Sequence, residues 1–228
     1  MSLDDTQLTD VSDMPLMHQA FRRGLGEARS QLAFIDDGDT ARAAHFADYM
    51  SDLLWLLHAH HSGEDELLYP LLVERVPEEA ELFARMDAQH SSVESTLGAA
   101  TAAAATYRDS GSAAEAAALA DACEALLTLL GTHLTEEEDE VLPIAARSIT
   151  PDEWGRLPGH ALMAYGGDRI WLPFGLATEA FPSSALDAIL SGPSPIGPMW
   201  RGGGGAAFAE EMRLIRDETA WTNRQPAA

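Results

Sequence analysis

The chain has 228 residues, 46% of them apolar, and sets 37 acidic side chains against 14 basic ones, for a formal net charge of −23. This allows a sizeable core in one large domain, or in one domain with an appendage, and it excludes nucleic acid and anionic membrane as main partners, because both need cationic surface. The single Cys123 excludes a disulfide framework and thiolate-rich zinc or iron–sulfur sites; the acidic stretch from Met1 to Asp13 is no signal peptide, and no apolar run reaches the roughly 18 residues of a membrane span, so a cytoplasmic protein is expected.

Up to about residue 150 the chain is rich in Ala, Leu and Glu; beyond it Gly and Pro crowd in. The first helix is predicted over about Pro15 to Ile35, ended by Asp36-Asp37-Gly38-Asp39. The second runs from Thr40 to about Arg75. Pro77 marks the break, and Glu78 and Glu79 suit the first turn of the third helix, where the dipole favours acids. The third ends near Arg108, at Asp109-Ser110-Gly111. Ser112 with Glu115 three residues later reads as a capping box for the fourth, which runs to about Ser148. Loops this short make successive helices antiparallel neighbours. The expected fold is all-α: an up-down-up-down four-helix bundle over residues 1–148, with residues 149–228 forming a C-terminal extension of short helices and loops packed on it.

Each helix carries a seam of alternating three- and four-residue spacing, as bundle packing requires. The first seam reads Met14, His18, Phe21, Leu25, Ala28, Leu32, Ile35. The second reads Phe46, Met50, Leu53, Leu57, His60, Glu64, Leu67, Leu71. The fourth reads Leu119, Cys123, Leu126, Leu130, His133, Glu137, Val141, Ile144. The looser third reads Leu82, Met86, His90, then Val93 or Glu94, then Leu97. Leucine-like residues belong throughout such seams, yet each holds one His, and two of them follow it with Glu four residues on. Counted from the turns, the four His lie at one depth to within two residues, or about 3 Å along the axis. An unpaired polar group in such a layer costs about 1–3 kcal/mol, and an ionised carboxylate more, so a metal is the expected compensation. Pairs at i, i+4 share a helical face, which gives His60 with Glu64, His90 with Glu94, and His133 with Glu137. Imidazole with carboxylate and no thiolate suits iron, manganese or zinc. Seven candidates (His18, His60, Glu64, His90, Glu94, His133 and Glu137) are too many for one ion and suit two bridged by carboxylates.

The stretches Met17-His18-Gln19-Ala20-Phe21-Arg22-Arg23, His60-His61-Ser62-Gly63-Glu64-Asp65-Glu66, His90-Ser91-Ser92-Val93-Glu94 and His133-Leu134-Thr135-Glu136-Glu137-Glu138 resemble the hemerythrin-like, HHE cation-binding domains. The resemblance covers about residues 12–148. It implies a bundle around a non-haem site of two iron ions, ahead of manganese or zinc, that binds O2, H2O2 or NO. It carries over His18, His60, Glu64, His90, His133 and Glu137 as ligands, with Glu64 and Glu137 as bridges. One departure stands out: oxygen-carrying hemerythrins place H-x-x-x-H on the third helix, where this chain has Glu94. A more anionic shell favours ferric iron and weakens reversible carriage. That points to an oxidoreductase-like redox protein, with an iron, oxygen or redox sensor, or a metal or oxygen store, as the alternatives. No catalytic residue beyond the ligands and no electron donor stands out.

His61 is open between a supporting place beside the site and a partly exposed one. His58 and His45 are expected at the surface. Glu138 rivals Glu137 through a one-residue change of register, and Asp65 could join His61 under the same shift. Cys123 is expected to be a packed core thiol. In the extension, Thr150-Pro151-Asp152-Glu153 is a helix start, helices are expected near Ser184 to Leu190 and Ala206 to Glu218, and Gly202 to Gly205 reads as a flexible loop.

Overall fold

In the computed structural model, which describes residues 8–221, every regular element is a helix. The seven N-terminal residues, which carry half of the stretch read as no signal peptide, lie outside the described residues. Helix α1 spans Asp13–Leu32. Asp39 caps α2, Thr40–Gly63, by accepting the Arg42 N–H. The helix continues through a π turn, Glu64–Leu68, into α3, Tyr69–Arg75. A 3₁₀ turn at Pro77–Glu79 leads into α4, Ala80–Ser110, which stops at Gly111 in the left-handed region (φ 59°). A Cβ there would lie 3.1 Å from the Thr40 backbone, so glycine suits this turn twice over. Ser112 caps α5, Ala113–Glu136, by accepting the Glu115 N–H. Only this half of the expected capping box forms there among the described bonds. The complete reciprocal box is found at Thr150 and Glu153. Helix α5 likewise passes through a π turn, Glu137–Val141, into α6, Leu142–Ser148.

Both π turns end two residues before a proline, Pro70 and Pro143. Proline donates no N–H, and its ring collides with the carbonyl four residues back. One extra residue in the turn relieves this: the Tyr69 N–H reaches the Glu64 carbonyl and the Leu142 N–H reaches the Glu137 carbonyl. The inserted residue also corrects the predicted second seam. Beyond Glu64 the seam runs through the fully buried Leu68 and Leu72, while Leu67 and Leu71 are only partly buried.

Helix α2 packs on α4, α4 on α5 and α5 on α1, around a core that includes Phe21, Leu25, Phe46, Met50 and Leu126. Cys123 is buried in it, as expected. Helices α1 and α2 share a thinner contact, and the extension fills the gap between them. The extension comprises α7 Pro151–Trp154, α8 Leu157–Ala164, α9 Trp171–Thr178, α10 Ser183–Ser191, α11 Ile196–Met199, a π turn at Trp200–Gly204, and α12 Gly205–Arg216. Helix α9 lies against both α1 and α2. Its Leu172 and Leu176 join the main core with Met212 and Ile215 of α12, while Phe174, Leu190 and Ile196 form a small cluster of their own. Helices α8, α9 and α11 are not foreseen in the sequence. Pro158 and Pro173 look like breakers but fall in the first turns of α8 and α9, where the missing N–H has no partner to lose. Gly202 to Gly205 forms a short kink into α12 rather than a longer loop, with Gly203 in a non-helical conformation at φ 138°. Among the described residues no helix is long and apolar enough to cross a membrane.

Candidate metal centre

The seam histidines and glutamates meet in one buried layer. His18 comes from α1, His60 and His61 from the last turn of α2, His90 from α4 and His133 from α5. Glu64 and Glu137 stand at the first positions of the two π turns. The ligand atoms fall into two groups, each within 4.8 Å: His61, Glu64, His90 and His133, and His18, His60, Glu64 and Glu137. Glu64 spans both. Its Oε1 is 3.2 Å from His60 Nε2 and its Oε2 is 3.6 Å from His90 Nε2. Glu137 belongs to the second group only; its Oε2 lies 3.4 Å from His18 Nε2 and, toward the first group, 3.7 Å from His133 Nε2.

Three histidines are turned so that Nε2 faces the layer. His18 Nδ1 lies 2.7 Å from Glu138 Oε1, which also takes a 2.6 Å bond from Arg22. His90 Nδ1 lies 2.7 Å from Asp65 Oδ1. His133 Nδ1 lies 3.2 Å from Gln89 Oε1, and Gln89 in turn donates to Glu136. Each Nδ1–H therefore donates outward, which assigns the tautomer and leaves an Nε2 lone pair inward. His90 Nε2 and His133 Nε2 are then two lone pairs 3.1 Å apart, an arrangement that repels unless a cation sits between them. Two nitrogens about 2.1 Å from one ion at a right angle would lie about 3.0 Å apart.

Elsewhere in the layer, His18 Nε2, His60 Nε2, both ring nitrogens of His61 and all four oxygens of Glu64 and Glu137 are buried with no hydrogen-bond partner among the described residues. Burial, reinforced by the neighbouring histidines, holds His60 and His61 well below the usual imidazole range and His133 down to about 3. Burial raises both glutamates, and for Glu64 the facing Glu137 adds to it. Burial alone would also raise Glu138, but His18 and Arg22 outweigh it and hold that carboxyl at about 2. Inward-facing imidazole nitrogens around two buried glutamate side chains without hydrogen-bond partners fit a bound cation and little else.

Six of the seven residues expected as ligands converge here. Glu94 does not: it points outward to His58, 3.1 Å away, while Val93 takes the buried seam position. The α4 face is one residue too narrow to turn both inward. His61 takes the vacant role, stacked on His90 with centroids 4.3 Å apart. The layer so regains a fifth histidine from α2, and the argument from a more anionic shell loses its footing. Glu138 and Asp65 are partners of the histidines rather than rivals for the layer. Gln89 is the residue that sequence reasoning missed. The acid directly after each glutamate, and the proline six residues after it, were the available signals. His58 is exposed as expected, whereas His45 is partly covered, with Glu211 of α12 3.5 Å away and Trp221 against its ring.

The fold and the layer together define a metal-binding helical bundle. The family model for the hemerythrin HHE cation-binding domain matches residues 9–145, and the chain belongs to that family. No curated protein and no solved structure matches it.

Proposed function

We propose that the layer holds two iron ions bridged by Glu64 and Glu137, and that the protein binds O2, H2O2 or NO there; redox turnover rests on the bound iron itself and not on the charge of the shell. The observation that carries the reading is the division of the donors into two groups sharing one carboxylate. One ion would be held by His61, His90 and His133 and the other by His18 and His60, with Glu64 and Glu137 shared between them. The up-down-up-down arrangement of α1, α2, α4 and α5 belongs to the same proposal, since it puts one histidine from each helix at the same depth. With iron bound, the centre supplies electrons and Lewis acidity. The His18 and His60 side offers one donor fewer, leaving room for a small ligand, as in sites where two histidines and a carboxylate hold ferrous iron. His60 and Glu64 also border an apolar cavity, so that side is the reachable one.

Metal analysis with absorption spectra before and after peroxide and NO tests this. Two irons per chain, a spectrum that NO changes, and catalytic loss of peroxide are expected. One zinc, or no metal, overturns the iron reading. Stable reversible binding of O2 without turnover would make the protein a store rather than a redox catalyst.

A further inference from the structure

The extension builds a second feature at the same end of α2. Helices α8 and α9 roof a cavity of about 270 Å³ over α1 and α2. Its walls are apolar, with Trp55 and Leu56 on one side and Leu157, Ala161, Pro173 and Phe181 on the other. The match to the family ends at residue 145, so this roof is supplied by residues outside it. Helix α8 carries a second sign. It is strongly apolar, yet none of its residues is fully buried: Leu157 and Leu162 pack only partly on neighbouring apolar clusters, and with Ala161 they line the cavity. Exposed apolar surface of this kind, enclosed on several sides, marks a ligand site.

The polar groups in the wall narrow the class of ligand. Thr178 donates its hydroxyl to the Phe174 carbonyl, and Asp13 accepts the Trp154 indole N–H. His60 and Glu64, the residues that would hold iron, supply the remaining polar part of the wall. Among the described residues no Arg lines the cavity, and two carboxyl groups do, so an anion has no counter-charge from them. The apolar walls penalise any charge on the rest of the molecule. An apolar cavity of about 150 Å³ holds a benzene-sized molecule, so this one admits a somewhat larger ligand.

We propose that this cavity binds an uncharged, medium-length apolar molecule with one neutral oxygen group, tail against α8 and α9 and oxygen toward His60 and Glu64. The binding does not require a metal, so its failure would leave the iron reading standing, and the reverse holds too.

1-Octanol is the probe, titrated by calorimetry into the full chain as isolated and again after chelation, with octanoate as the charged comparator. One saturable site is expected in both preparations, with octanoate at least tenfold weaker in the chelated one. Ala161→Phe and Ala177→Phe, which fill the cavity from α8 and α9, should each weaken 1-octanol at least tenfold while keeping the wild-type circular dichroism. Should either fail to fold, Ala161→Val gives the smaller loss in the same direction. Nuclear Overhauser contacts should place the C1 protons, not the terminal methyl, against the His60 ring. Absence of saturable binding, equal binding of octanoate to the chelated chain, folded variants that bind as wild type, or the reverse orientation would overturn the proposal.

Discussion

The two segments that close the metal layer, His60 to Pro70 and His133 to Pro143, follow one plan. Each has His, then Glu four residues later, then an acid that grips a histidine of a neighbouring helix, then a π turn ending before proline. Asp65 does this for His90 and Glu138 for His18. They differ at the residue after the histidine. The first segment has His61, turned into the layer. The second has Leu134, fully buried in the apolar core. Their surroundings differ as well: Arg85 and Gln89 of α4 bind Glu136 beside the second, whereas the extension covers the first through Arg75 with Glu153 and His160 with Glu66. One local design thus gives a two-sided site, and a single side chain makes the sides unequal.

Removing what the segments share should have the largest effect. Glu64→Gln takes away the carboxylate common to both donor groups. The chain should fall from two ions to one or none in metal analysis. The metal-free protein should at the same time melt higher, since an unpaired buried carboxylate costs about 1–3 kcal/mol or more. A variant that still holds two ions would show that Glu64 is not shared.

Making the segments alike comes next. His61→Leu gives the first segment the residue of the second and removes a donor from one group only. One ion per chain is expected, retained by His18, His60, Glu64 and Glu137, and a unit loss of stoichiometry separates this from general unfolding. If two ions persist, the inequality lies elsewhere than in His61.

These contrasts also mark where sequence was readable. Helix limits and the depth of His18, His60, His90 and His133 follow from counting, because an α-helix converts residue number into height. Rotation about the helix axis does not follow so simply. The choice of Val93 over Glu94 is a matter of a fraction of a turn. So is the inward place of His61, and the shift from Leu67 to Leu68 needs the π turn that Pro70 provokes. The extension was hardest to read. Its short helices have no seam of their own long enough to show a period, and the prolines that seemed to break α8 and α9 sit at their starts.

The orienting acids should have a smaller effect than the ligands. Asp65→Asn and Glu138→Gln each leave the donors in place but loosen one imidazole. Metal affinity is expected to fall by about 10–100-fold in each, with stoichiometry kept at saturating metal. A competition titration with a chelator reads this. Equal losses would extend the common plan to the partners of the histidines. A much larger loss for Glu138→Gln would show that its additional bond to Arg22 matters.

The smallest effect concerns the cover over the first segment alone. Glu153 is held at about 2, chiefly by its bonds to Arg75, with help from the Thr150 N–H. A carboxylate whose folded value lies below its unfolded one contributes stability that is full above the unfolded value of about 4.5 and is lost as pH falls toward 2. Acid should therefore loosen α7 from α3 across that window. The pair is partly solvated, so the loss should be modest. Hydrogen exchange of the Trp154 and Gly155 amides, which bond to the Thr150 and Pro151 carbonyls, at pH 5 and pH 3, in the chain and in Glu153→Gln, isolates it from the titration of the buried layer. The amides should become less protected at pH 3 in the wild type, and the variant should be loosened at both. If the variant matches the wild type at pH 5, the extension is held to the first segment by apolar contact alone, and the salt link is only ornament on that packing.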